Sequence, residues 1–153
     1  MDKRVILERV RAEFLALLEQ TVAASNEARD EATDDESRGE SKYDTHAVEA
    51  SYLAAGQAER AEEMGRTLQT FNLTQFPDFA PDAAIEVGAL VDVDFAGERV
   101  YYLICTAGGG TSFEIDGREL TVLAPTAPLA SKLMGAKAGD KFDQPALTIV
   151  AVM

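Results

Sequence analysis

Cysteine and histidine are almost missing from this sequence. Its 153 residues include one cysteine, Cys105, and one histidine, His46. Neither an internal disulfide framework nor a cysteine-rich or histidine-rich zinc site can be built from that set, and a lone cysteine fits a reducing compartment. Tryptophan is absent, and positive charge is scarce: 14 Lys and Arg face 27 Asp and Glu, for a net charge of −13. Residues 1–75 hold 16 acids and 9 bases, and residues 76–153 hold 11 and 5, so neither half offers the basic footprint that phosphate neutralisation requires. Sequence-specific DNA binding is therefore not expected, and any contact with nucleic acid should be indirect. Long apolar runs are also lacking, so no membrane span is expected. The start, Met1-Asp2-Lys3-Arg4-Val5, leads into charged heptads rather than an apolar signal segment. The expected setting is the cytoplasm, with the chain a monomer. With 46% hydrophobic residues, it can bury a core as one compact domain or two small ones.

Proline is absent from Asp2 to Phe71, a stretch dense in Ala, Glu, Arg and Leu, which is helix composition. Leu7, Val10, Phe14, Leu17, Thr21, Ala24 and Ala28 recur at alternating steps of three and four, as in a coiled-coil seam. Ala47, Ala50, Ala54, Gln57, Ala61, Met64, Leu68 and Phe71 repeat the pattern. Between the two runs, Thr33 to Lys42 contains no large apolar residue and collects turn formers, so it reads as a hairpin tip. Folding the arms antiparallel about it sets Leu7 against Leu68, Val10 near Met64, Phe14 against Ala61, Leu17 against Gln57, Thr21 against Ala54 and Ala28 against Ala47. Each arm would be roughly 38 Å long at ~1.5 Å per residue. The thin alanine seam near the tip should fray first.

Phe76-Pro77-Asp78-Phe79-Ala80-Pro81-Asp82 ends the helix and reads as a short, stiff linker over 76–84. After it the period changes to two. Strands are expected at 89–95 and 99–105 around a tight turn at 96–98, then at 111–115, 119–123 and 146–152, with Asp116-Gly117 as a hairpin turn. Gly108-Gly109-Gly110 lacks the lysine and following helix of a phosphate-binding loop and reads as a turn. Residues 126–135 carry Pro128 in a first turn and Gly135 past an end, which fits one short helix. The expected organisation is α+β: a helical hairpin over 1–75, a linker over 76–84, and a small, mostly antiparallel sheet domain with one helix over 85–153.

An acid-tipped helical hairpin followed by a small sheet domain resembles the bacterial Gre family of transcript-cleavage factors. That family carries a tip motif of the form D-x-x-E-N-x-E-Y ahead of an alanine-rich second helix, and Glu36-Ser37-Arg38-Gly39-Glu40-Ser41-Lys42-Tyr43 is similar to it. Its strand, S-P-I-A, helix and G-K-x-x-G-D order looks like residues 121–140, from Thr121-Val122-Leu123-Ala124-Pro125 to Gly135-Ala136-Lys137-Ala138-Gly139-Asp140. Val87-Gly88-Ala89 looks like the family's entry into that domain. The resemblance runs in the same order along nearly the whole chain.

It implies a sheet domain similar in fold to FK506-binding proteins, docked at the rim of the RNA polymerase secondary channel through Pro128, Leu129, Lys132, Gly135, Lys137 and Asp140. The hairpin would enter the channel with Asp34, Asp35, Glu36 and Glu40 at its tip and Tyr43 supporting it. These acids would share a magnesium ion with the polymerase, because magnesium takes one or two carboxylates alongside waters and phosphates. The factor would act on the polymerase's own active site, with no catalysis of its own, and would touch nascent RNA indirectly. Anchoring the tip motif on Tyr43 sets Glu36 and Gly39 at its first two acidic positions, whereas anchoring on the E-N step sets Ser37 and Glu40 there. Each frame keeps one acid, so a channel occupant that inhibits without stimulating cleavage is the alternative reading.

Plainer readings stand beside these. The tip acids also fit a solvated turn with a helix cap, Tyr43 a seam position, His46 an exposed helical site, and Cys105 a core residue without a basic neighbour to activate it. Two other functions fit the fold class. One is a prolyl isomerase or chaperone in the sheet domain, which needs an aromatic-lined pocket, whereas Phe95, Tyr101, Tyr102, Phe113 and Phe142 fall on strand alternation. The other is an adaptor that dimerises through its hairpin.

Overall fold

A computed structural model describes residues 2–37 and 45–153, with the backbone alone at 34–37, 45–47 and 50. Helix α1 spans Lys3–Ser37 and helix α2 spans Thr45–Leu73. None of the helices described is long and apolar enough to cross a membrane. Most described positions of the three-and-four spacing are withdrawn from water along both helices, and Ile6 and Ala32 beside them are buried too. On α1, Leu7, Val10, Phe14 and Ala28 are buried and Leu17, Thr21 and Ala24 half-buried. On α2, Ala54, Gln57, Ala61, Met64 and Leu68 are half-buried and Phe71 fully buried. Half-burial is what a paired seam gives, because each helix has one neighbour to cover it.

The register differs from the expected one by a heptad. Arg11 should lie level with Met64, yet its Nε donates to Asn72 Oδ1 at 2.7 Å and its guanidinium sits 6.0 Å from the centre of the Phe71 ring. The cause lies at the other end, where α1 continues through Thr33-Asp34-Asp35-Glu36-Ser37 instead of stopping before it. Ser, Thr and Asp cost a helix interior only a few tenths of a kcal/mol each, far less than Gly or Pro, and the first glycine comes at Gly39. Thr33 also ties its hydroxyl to Arg29 O at 2.9 Å, within the helix. Carrying the helix further moves the turning point along the chain and slides the arms by seven residues. A seven-residue slide returns seam to seam, so the spacing pattern cannot detect it.

The chain divides into two compact units, Ala12–Leu68 and Met1–Arg11 with Gln69–Met153. The second contains a six-stranded sheet in the order β3-β4-β2-β1-β6-β5. Its strands are β1 (Leu90–Phe95), β2 (Glu98–Ile104), β3 (Ser112–Ile115), β4 (Arg118–Leu123), β5 (Lys141–Asp143) and β6 (Ala146–Val152), and helix α3 (Pro128–Leu133) lies between β4 and β5. All pairs are antiparallel except β2 with β4, which run parallel through Tyr101↔Leu120 to Ile104↔Leu123. The two turns expected from sequence take left-handed backbone: Asp116 and Gly117 at φ 51° and 74°, and Ala96 and Gly97 at 53° and 91°. Strand β5 was not expected. Three residues are too few to show alternation, and Pro145 follows closely.

One face of the sheet packs on α3. Val91, Val93, Ile104, Leu123, Leu147, Ile149 and Val152 meet Ala130 and Leu133 there, together with Ile85 and Ala89. Leu90, Leu103 and Leu120 belong to the other face and are also fully buried. The first turns of α1 reach this unit at two points, Lys3 near Gly88 and Arg9 at Asp116, and Ile6 between them is fully buried. Lys3 is 5% exposed. Its Nζ donates to Pro77 O at 2.6 Å and to Gly88 O at 2.9 Å, and lies 4.8 Å from the centre of the Phe79 ring. Gly88 is required where it stands: its φ is +91°, and a Cβ there would come within 3.0 Å of Pro77 Cδ and 3.3 Å of Gln75 O.

Burial pulls the Lys3 pKa down from its ordinary value to about 8, against the opposing attraction of Asp78. Between that value and the 10.5 of a solvated lysine, the unfolded chain holds the proton more tightly than the folded one, so Lys3 makes stability rise with pH through this window. Urea midpoints at pH 7.5 and 9.5 should therefore rise more in the wild type than in Lys3→Met. Equal changes in the two proteins would show that Lys3 titrates normally in the fold.

Candidate functional site

The far end of the helix pair carries the acids. Asp34, Asp35 and Glu36 fall in the last turn of α1, a turn that itself contains no base. Negative charge at the C-terminal end of a helix opposes its dipole by roughly 0.3–1 kcal/mol per exposed group, so this placement costs the free fold stability. Glu40 and Tyr43 lie outside the described residues, and for His46 only the backbone is described. Positions 34, 35 and 36 follow one another at about 100° around the helix axis, a spacing that does not gather three ligands at one point. Among the described residues, no group of three His, Cys, Asp or Glu is placed to hold a metal.

In the sheet unit, the segment that follows β4 is fixed by its own backbone bonds. Pro128 opens α3 at the position where a missing N–H does no harm. Gly135, at φ +82°, leaves the helix, and its N–H donates to Ile85 O at 2.9 Å while Ile85 N–H returns a bond to Ala136 O at 2.8 Å. Asp140 accepts from Lys137 N–H at 2.8 Å and closes the turn that contains Gly139. Gly139 N–H donates to Ile149 O and Ile149 N–H to Asp140 O, which binds this turn to β6. Turn geometry thus explains Gly135, Gly139 and Asp140 in this spacing, while Lys137 contributes only its backbone N–H. The side chains left outward are Pro128, Lys132 and Lys137, with Leu129 half-buried. Lys132 Nζ donates to Gln144 O at 2.5 Å, so α3 is also tied to the β5–β6 turn. The six docking candidates therefore fall on one continuous stretch of α3 and the turn after it.

Sequence reading passed over a charged cluster on the second face of the sheet. Asp92 of β1 is 7% exposed, and the Arg99 guanidinium of β2 grips both its oxygens. Arg118 of β4 approaches Asp92 Oδ2 at 3.5 Å, donates to Tyr101 Oη at 3.0 Å and lies 5.3 Å from the centre of that ring. The hydrogen bond to Asp92 raises the Arg99 pKa further above its already high value. Asp92, Tyr101, Ile115, Asp116 and Arg118 line a cleft of about 330 Å³. The visible signal was the β1–β2 turn at Ala96-Gly97, which sets Asp92 and Tyr101 opposite each other. Cys105 is buried, and burial raises its thiol pKa, as a core cysteine should behave.

No protein-family model matches the chain, and no curated protein matches it. Solved structures that resemble it include the GreA factor homolog 1 (Gfh1) protein of Thermus thermophilus, at 15% identity over 94% of both chains and a TM-score of 0.40. A structure described as the transcription factor Gfh1 is 16% identical over 93% of this chain and 92% of that one, with a TM-score of 0.35. Gfh1 of Thermus aquaticus is 16% identical over 92% of each chain, also with a TM-score of 0.35.

Removing the charge of Asp92 while keeping its shape would leave two guanidinium groups facing an amide. Asp92→Asn should cost ~2 kcal/mol, reduced from the value for a fully buried pair because both arginines reach solvent. Denaturant unfolding would measure it, and a cost below ~0.5 kcal/mol would mean that the cluster is no more than a surface pair.

Proposed function

We infer that this chain is a Gre-like transcription factor that binds bacterial RNA polymerase and modulates cleavage of backtracked RNA. The observation that carries the reading is the set of acids at the distal turn of a two-helix seam, placed where they cost the free protein stability. A charge arrangement unfavourable in isolation is understandable if a partner's cation meets it. The order of elements supports the same reading, with α1 and α2 leading into a sheet unit whose β4–α3–turn segment carries the motif spacing of residues 121–140.

In this reading, α3 and the turn to Asp140 dock the sheet unit at the rim of the secondary channel, and the helix pair enters it. One or two of Asp34, Asp35, Glu36 and Glu40 then offer oxygens to magnesium at the polymerase active site, and the chemistry belongs to the polymerase. Inhibition is the second reading, favoured by one feature of the sequence: each frame of the tip motif keeps one of its two acids.

Cleavage assays on purified, backtracked elongation complexes over a magnesium titration, with binding measured separately, test the proposal. The protein should bind and change the cleavage rate. Replacing Asp34, Asp35, Glu36 and Glu40 together by Ala should leave binding within about twofold, since in this reading docking rests on the sheet unit, while abolishing the change in rate. Faster cleavage with the wild type identifies a cleavage factor, and slower cleavage identifies a channel occupant that inhibits. Absence of binding would sink the polymerase reading.

A further inference from the structure

The tip-proximal half of α2 has the composition of a buried helix, yet of its described side chains all but Ala54 and Gln57 are exposed. Residues 45–58 read Thr-His-Ala-Val-Glu-Ala-Ser-Tyr-Leu-Ala-Ala-Gly-Gln-Ala, with Glu49 as their one acid or base in a chain that is 27% charged. A helix segment with apolar residues on both faces is normally enclosed. One face is accounted for, since Ala54, Gln57 and Ala61 belong to the seam. The other is not. At about 100° per residue, Tyr52 lies half a turn away from those positions, and it is 77% exposed, with Val48 one turn before it at 52%. Ala55 and Gly56 continue the same line, both exposed, with Glu49 beside it and Glu59 ending it one turn on. Single exposed apolar residues need no explanation, but an aligned row on a helix otherwise rich in charge does.

Gly56 is the second, independent observation. A glycine inside a helix costs about 1 kcal/mol relative to alanine, and nothing lies within 4 Å of where its Cβ would stand. The fold itself therefore does not ask for glycine at this position. A recess between Tyr52 and Glu59 is useful to a neighbour that comes close to the backbone.

Three kinds of surface could cover the row, and two are disfavoured. A second copy would bring another −13 charge alongside the first. A strip ~21 Å long and ~10 Å wide gives on the order of 200 Å² per helix, far below the ~800 Å² per partner of a stable association. An anionic lipid surface attracts helices with Lys and Arg beside their apolar face, whereas this row is bordered by glutamates. A strip too small to hold a partner by itself is covered as part of a larger interface, and the acid-bearing turn of α1 ends about twelve residues before it in sequence. We propose that Val48, Tyr52 and Gly56 form a contact ridge that an apolar, basic-rimmed protein wall of RNA polymerase covers when the helix pair enters it, with Gly56 receiving a side chain of that wall. The ridge rests on the function proposed above and adds a specific surface to it.

The test titrates purified core RNA polymerase into the full-length protein labelled at an engineered site in the sheet unit, and compares the wild type with Tyr52→Ala and Gly56→Leu. Each variant should bind about tenfold more weakly. Gly56→Leu should at the same time raise the melting temperature of the free protein by ~3 °C, because leucine is the better helix former. Weaker binding by a more stable protein cannot be ascribed to unfolding. If the wild type binds and both variants bind equally well, the ridge is wrong while the polymerase reading stands. If the wild type does not bind, the polymerase reading fails and the ridge falls with it. A concentration-dependent dimer in sedimentation that Tyr52→Ala abolishes would also overturn the proposal, by assigning the row to self-association.

Discussion

Four of the 14 basic residues fall within the first eleven positions of this acidic chain, and each is bound to a different segment of the sheet unit or its approach. Lys3 holds Pro77 and Gly88 through their carbonyls, Arg4 lies 3.6 Å from Asp78, Arg9 pairs with Asp116, and Arg11 reaches Asn72 and Phe71. Exposed pairs such as Arg4 with Asp78 contribute little energy. Their value here is positional: acids are plentiful in this protein and bases few, so a segment that gathers four bases within eleven residues carries the scarcer partner. Lys3 differs from the others in being out of water, where its two carbonyl bonds replace hydration and Gly88 must remain glycine to let the backbone approach. The opening turns of α1 thereby belong to the sheet unit, although in sequence they begin the hairpin.

Periodicity made most of this fold legible. The seam residues from Leu7 to Ala28 and from Ala54 to Phe71 are withdrawn from solvent, and the strands begin and end within a residue or two of the alternating segments. Turn chemistry located Asp116-Gly117 and the end of α3 at Gly135. The failures share a physical origin: each needed information that a local pattern lacks. Heptads cannot distinguish registers seven residues apart, so the slide between α1 and α2 had to come from where α1 stops. That point is hidden from the sequence because Thr33, Asp34, Asp35 and Ser37 are turn formers that a helix also tolerates, and α1 runs through all four. Strand β5 is too short to show a period. The Asp92, Arg99 and Arg118 cluster joins three strands, and one of its links depends on β4 lying parallel to β2.

For the candidate site, sequence located the acids and the segment from Pro128 to Asp140, but the two differ in how much the fold explains. Gly135, Gly139 and Asp140 have complete structural reasons in backbone geometry, so their spacing identifies a turn before it identifies a docking surface. The acids have no such reason. Asp34, Asp35 and Glu36 stand against the helix dipole, and Gly56 and Tyr52 stand where the free protein gains nothing from them. Residues that the fold does not need are the more informative ones about what the molecule meets.

The repeating seam also bears on how such a helix pair could change length over evolutionary time. Because seven residues return the spacing to its starting phase, gaining or losing seven in each arm would leave every remaining seam contact in place and move the acid-bearing turn by about 10 Å. A number out of phase with these repeats, such as five, would rotate the seam beyond the insertion away from the seam before it. Length is therefore quantised: the helix pair can step between discrete values while the outward line through Val48, Tyr52 and Gly56 keeps its phase relative to the seam.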